Sequence, residues 1–126
     1  MGYYTHYSLT AHTNFDGVLY NSFNIPLETE KEVMKKLCEV SMIWDETQVD
    51  EWDDPFDMIS DDTYKWYDYE SDMLNLSRMF PNLWFVLEGH GEEWDDIWRS
   101  LYHNGEYEFQ CIDMQFPDFN RKRWRD

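Results

Sequence analysis

Residues 3–12 alternate, with Tyr3, Thr5, Tyr7, Leu9 and Ala11 on one side of the run. A period of two in a stretch rich in aromatic and β-branched residues predicts a strand with one buried face. Residues 13–27 read as a loop, with a short extended piece at 18–24. The period then lengthens. Val33, Met34, Leu37, Val40 and Ser41 recur at helical spacing, with Lys31, Lys35 and Lys36 on the opposite face. Thr29 followed by Glu32 predicts a capping box at the start of this helix, which ends near Met42. Residues 63–67 predict a short strand. Asp68 stands where it would cap a second helix, whose apolar positions are Met73, Leu74, Leu76, Ser77 and Phe80, and Pro81 stops it. The last third reads as β. It has a buried strand at 83–88, a break or bulge at Gly89-His90-Gly91, a strand at 96–102 and a strand at 106–114. Between the last two, Asn104-Gly105 accepts the positive φ of a type I′ hairpin turn. The order predicts one α+β domain over residues 1–120, with two helices on one antiparallel sheet and a short basic tail at 121–126.

An insert at 44–62 interrupts this pattern. Within 45–62, nine of eighteen residues are carboxylates: Asp45, Glu46, Asp50, Glu51, Asp53, Asp54, Asp57, Asp61 and Asp62. Val49, Trp52, Phe56, Met58 and Ile59 are interleaved among them, whereas a disordered acidic tract has few large apolar residues. Val49, Trp52, Phe56 and Ile59 follow a helical stripe. Pro55 forbids one continuous helix but fits the first position after a capping Asp54. The segment is therefore expected to be ordered, in helical pieces held down by its aromatics. A fully helical insert would be about 27 Å long at ~1.5 Å per residue. It would carry a charge every ~3 Å, near the phosphate spacing of a DNA strand. A second acidic cluster is Glu88, Glu92, Glu93, Asp95 and Asp96 around the Gly89–Gly91 break.

The formal charge of the chain is −17, and residues 1–120 hold six bases against twenty-six acids. Such a body repels nucleic acid and anionic membranes, and its natural partner is a basic surface on a host protein or nucleoprotein complex. Cys38 and Cys111 lie in apolar contexts with no CxxC spacing and are expected to be buried free thiols. The opening Met-Gly-Tyr-Tyr-Thr-His lacks the apolar region of a signal peptide, and no apolar run reaches ~20 residues, so a cytoplasmic location in a bacterial host is expected. Chemistry is not indicated. Asp50-Glu51-Trp52-Asp53-Asp54 has oxygen ligands but neither the glycine nor the spacing of a calcium loop. His6 and His12 share a strand face but sit about 20 Å apart. The carboxylates at 88–96 have no nucleophile or pocket beside them. No enzymatic activity, cofactor or metal is expected. Trp44, Trp52, Trp94 and Trp98 neighbour acids and read first as core, while Trp52 and Phe56 are also candidate partner anchors.

A resemblance lies in Lys65-Trp66-Tyr67-Asp68, Glu70, Asp72-Met73, Leu76-Ser77, Phe80-Pro81, Phe85, Leu87-Glu88-Gly89, Gly91-Glu92-Glu93, Asp96, Trp98 and Asn104-Gly105. With the opening Met-Gly-Tyr-Tyr-Thr, this pattern resembles a family of small acidic proteins from bacteriophages and prophages, over about half the chain. The resemblance implies a ferredoxin-like α+β domain and a phage origin, with no established activity. Anti-CRISPR proteins are similar in style and source rather than in motif. Residues 44–62 fall outside the pattern. The expected function is that of a phage-derived inhibitor of a host nucleic-acid-targeting defence system. It would act as an acidic nucleic-acid mimic on a basic surface such as that of a CRISPR–Cas effector. Its partner-binding residues would be Asp45, Glu46, Asp50, Glu51, Trp52, Asp53, Asp54, Phe56, Asp57, Asp61, Asp62, Glu92, Glu93, Asp95 and Asp96. The alternative is a non-enzymatic accessory or regulatory module that docks through an aromatic surface.

Overall fold

A computed structural model describes residues 4–13, 25–92, 96–111 and 119 of the chain. The alternating first segment forms β1, Thr5–His12, and Thr5, Tyr7, Leu9 and Ala11 are buried as the period of two requires. The extended piece expected at 18–24 and the basic tail at 121–126 lie outside the described residues. Helix α1, Leu27–Ser41, begins earlier than the Thr29 capping box would set it. Pro26 is the N-cap, with no side-chain cap bond, and its carbonyl takes the Glu30 amide at 3.0 Å. Proline needs no partner for an amide it lacks, so it can open a helix where a capping side chain is absent. The helix ends as expected at Met42, whose left-handed backbone (φ 60°) lets its amide reach the Cys38 carbonyl at 3.0 Å.

The acidic insert is ordered and packed. A 3₁₀ turn, Glu46–Glu51, is followed by a short helix α2, Asp57–Ser60. Two of its own carboxylates shape it: Asp45 accepts the Thr47 amide at 2.9 Å, and Asp54 accepts the Phe56 amide at 3.2 Å beside Pro55. Val49, Phe56, Met58 and Ile59 are buried in the main core. One straight rod does not form, so the DNA-like charge spacing does not hold.

Strand β2 is only Thr63–Tyr64, shorter than the expected 63–67. Trp66 turns into the core instead, where its indole N–H donates to Asp72 at 2.7 Å. Helix α3, Tyr69–Met79, buries Met73, Leu76 and Ser77 and stops before Pro81. Strand β3, Trp84–His90, runs without a break through Gly89, where a bulge was expected. Gly89 lies opposite both Tyr7 and Trp98, and a Cβ there would sit 2.3 Å from the Trp98 ring. The glycine makes room for an indole. Strands β4, Ile97–His103, and β5, Glu106–Cys111, form the expected hairpin, with Asn104 and Gly105 at φ 46° and 84°. Cys38 is buried, but Cys111, expected to be so, is exposed at the end of this edge strand.

The sheet is fully antiparallel in the order β2-β1-β3-β4-β5. The described residues thus form an α+β fold on a five-stranded antiparallel sheet. Helices α1 and α3 and the insert cover one face, over Tyr7, Leu9, Phe85, Leu87, Trp98 and Tyr102. On the other face Trp84, Val86 and Leu101 gather around Phe119, with the Arg99 guanidinium 4.1 Å from that ring. Among the described residues no helix is long and apolar enough to cross a membrane.

Candidate protein-docking surface

Burying Val49, Phe56, Met58 and Ile59 forces the residues between them outward. All nine carboxylates of the insert are exposed. Phe56 is only 6% exposed, so what it anchors is the insert itself, while Trp52 is half-buried and keeps part of its ring at the surface. The charge is not uniform in its surroundings. Asp50 faces Lys35 at 3.3 Å and Lys31 at 3.8 Å on α1, which braces the 3₁₀ turn against the helix. Asp45 accepts the Thr47 amide within the insert and Asp62 the Thr63 amide at the start of β2, and two hydrogen bonds from Thr47 hold the Asp45 carboxyl below its ordinary range. Among the described residues Asp53, Asp54 and Asp57 have no cationic partner, and they stand along one rim with Glu30.

Glu30 is the residue that sequence reasoning missed. It lies in the first turn of α1, facing the insert. Burial, and then the nearby charges and hydrogen bond of Asp54 and the charge of Asp57, push its carboxyl from an ordinary 4.5 up to about 7. Asp57 is also raised, by partial desolvation and then by Asp54 and Asp61. The signal available in the sequence was Pro26: a helix opened by it places Glu30 in the first turn. Its pairing with Asp54 depends on tertiary packing.

Below these carboxylates runs a groove of about 440 Å³. Leu9 and Ala11 line it from one face of β1, and Ser8 and Thr10 from the other. Neighbours of both faces can line one groove only if it follows the edge of the strand. The pairing agrees: on its outer side β1 meets β2 only at Thr5 and His6, and His6 Nε2 lies 2.8 Å from the Ser60 carbonyl. Among the described residues, the edge of β1 beyond that point has no paired strand.

The second acidic cluster is elsewhere. Glu92 and Asp96 lie at the β3–β4 connection, closed by the Gly91 amide on the Asp96 carbonyl at 2.8 Å. That connection lies across one strand from the end of the insert: His6 of β1 pairs with Thr63 on one side and with His90 at the end of β3 on the other. Glu88 sits near it on β3 and is 2.9 Å from His90 Nε2. Glu93, Asp95 and Trp94 lie outside the described residues. Trp44 and Trp98 are core, as read. Burial first, and then Glu46 and Asp45, push the Cys38 thiol up to about 11, which keeps it protonated and unreactive. Among the described residues no three His, Cys, Asp or Glu side chains are grouped to hold a metal ion.

Comparison with protein-family models, with curated proteins and with solved structures gave no match.

Proposed function

We propose that this protein is an acidic docking protein, phage-derived and of anti-CRISPR type. It occupies a basic nucleic-acid-binding surface of a host defence complex and keeps DNA or RNA from it. The observation that carries the reading is the ordered insert: nine exposed carboxylates held in place by buried Val49, Phe56, Met58 and Ile59. A fixed array of charge loses less conformational entropy on docking than a mobile tract does. The mimicry rests on net charge and rigidity, with no contribution from helical phosphate spacing. We propose further that the fold is a ferredoxin-like variant. Two helices on one face of an antiparallel sheet support this, and the β3-β4-β5 meander is what makes it a variant.

A second reading has its own observation. Tyr107 (39% exposed) and Phe109 (44%) project from edge strand β5 on the helix side, and Phe109 stacks on Trp98 at 5.7 Å. An accessory module docking there would bind with little dependence on salt. The test is a plasmid-interference assay with Asp53, Asp57, Asp61 and Asp62 all changed to Asn. Inhibition should disappear while the melting transition is kept, and wild-type binding to the partner should fall steeply between 50 and roughly 300 mM salt. Inhibition that survives the four substitutions, or binding indifferent to salt, refutes the acidic reading and favours the aromatic one.

A further inference from the structure

The groove beside β1 combines two features that the acidic reading alone does not use. One is the strand edge itself. Residues 8–11 form a stretch of about 13 Å at ~3.3 Å per residue. On its outer side, among the described residues, no strand continues the pairing that β2 makes at Thr5 and His6. An edge of this kind is a template for another extended chain. The other feature is the lining. Glu30, Asp53, Asp54 and Asp57 line the groove together with apolar Leu9, Ala11, Ile25 and Phe56, and no Lys or Arg is among its described lining residues. A Lys or Arg side chain is built in the same two parts, an aliphatic stem and a cationic head. Lys31 and Lys35 of α1 already face Asp50, which is not among the lining residues. A second copy of this chain would bring −17 more charge to an acidic rim, so the charge argues against it as occupant.

We infer that the groove is a strand-addition site for an extended basic segment of a partner protein, which pairs with the edge of β1 at residues 8–11, unpaired among the described residues, and sets Lys or Arg side chains against Glu30, Asp54 and Asp57. The inference rests on the acidic docking reading and adds to it the conformation of what docks. Main-chain bonds to β1 supply affinity, and the carboxylate rim selects the charge. Glu30 links the two: a cation arriving beside it displaces the proton that burial first, and then Asp54 and Asp57, make it retain, so the basic segment binds more tightly as pH rises from about 6 to 8.

The experiment uses the whole chain and three synthetic probes. One is a ten-residue peptide alternating Lys and Val. The other two have the same sequence, N-methylated at every Lys or at every Val, which blocks backbone pairing from one side while keeping the charge. The expected results are at least tenfold weaker binding for one methylated peptide, amide chemical-shift changes at residues 8–11 with the unmodified peptide, and at least tenfold weaker binding by the Glu30→Gln/Asp54→Asn/Asp57→Asn variant. Equal binding of all three peptides overturns strand addition while leaving the acidic docking reading standing. So do shift changes confined to the insert and absent from residues 8–11. No binding of any peptide at low salt overturns the site. A many-fold rise in affinity when Arg121, Lys122, Arg123 and Arg125 are all changed to Ser overturns the choice of occupant, in favour of the chain's own basic tail.

Discussion

Replacing Glu30 by Gln is expected to stabilise this protein, and only at the upper end of the pH range. The Glu30 carboxyl ordinarily titrates at 4.5 and in the folded chain does so at about 7. Below 4.5 it is protonated whether the chain is folded or not. Between 4.5 and 7 the folded chain holds a proton that the unfolded chain has released, so stability falls as pH rises through that window. Above 7 the carboxylate is ionised in both states, and only the folded state partly desolvates it and sets it against Asp54 and Asp57. At about 1.4 kcal/mol per tenfold change in proton affinity, the full difference would be roughly 3 kcal/mol. Glu30 is half-exposed, and solvent screens it, so about 1 kcal/mol is the realistic expectation. Gln keeps the shape and neutrality of the protonated acid, and its amide can donate to Asp54 as the carboxyl does. Thermal unfolding of wild type and Glu30→Gln should therefore coincide near pH 4 and separate at pH 8, the variant melting about 3–5 °C higher. The other carboxylates titrate in both proteins and cancel in the comparison. Half-molar salt should shrink the gap. Melting curves that stay parallel across pH, or a variant less stable at pH 8, would show that Glu30 is not in a repulsive pair.

Ile59→Ala should cost about 3–4 kcal/mol, because a fully buried side chain leaves a cavity, whereas Asp61→Asn two residues on should change stability by less than about 0.5 kcal/mol. Equal small effects in urea titrations would mean that the insert is not part of the core. Gly89→Ala should lower the urea midpoint by the equivalent of about 2–3 kcal/mol and alter the near-ultraviolet circular dichroism, because the new methyl displaces the Trp98 ring from its stack on Tyr69. An unchanged midpoint would contradict the register of β3 on β4. Tyr102→Phe should change stability by less than about 1 kcal/mol, since Ser100 is the one hydrogen-bonding group beside the buried Tyr102 hydroxyl among the described residues and the two make no bond of good geometry. A loss above about 1 kcal/mol would reveal a bond that this geometry does not contain.

Much of this architecture was legible because it is periodic. The alternation of β1, the helical spacing in α1 and α3 and the Asn104-Gly105 turn each follow from short-range chemistry, and each element lies within a few residues of where the pattern puts it. The burial of Val49, Phe56 and Ile59 followed from their spacing among the acids. Two of the misreadings have different sources, one a neighbouring strand and one a competing local signal. Gly89 looks like a breaker to local rules, yet it is a strand residue whose missing side chain is filled by Trp98 on the next strand. Thr29 has the form of a cap, but Pro26 had already opened the helix.

By itself, the amino-acid sequence determined that this protein is strongly anionic, that its charge is concentrated in an ordered insert, and that two helices accompany an antiparallel sheet. These are properties of composition and period, which act over a few residues. Only the tertiary structure decided where the charge stands. It tied Asp50 to Lys31 and Lys35. It also set Glu30 against Asp54 across 24 residues of chain and, among the described residues, left the edge of β1 beneath them without a paired strand beyond His6. A carboxylate's proton affinity and a strand's free edge depend on what folds against them, and no local pattern in the sequence encodes that neighbour.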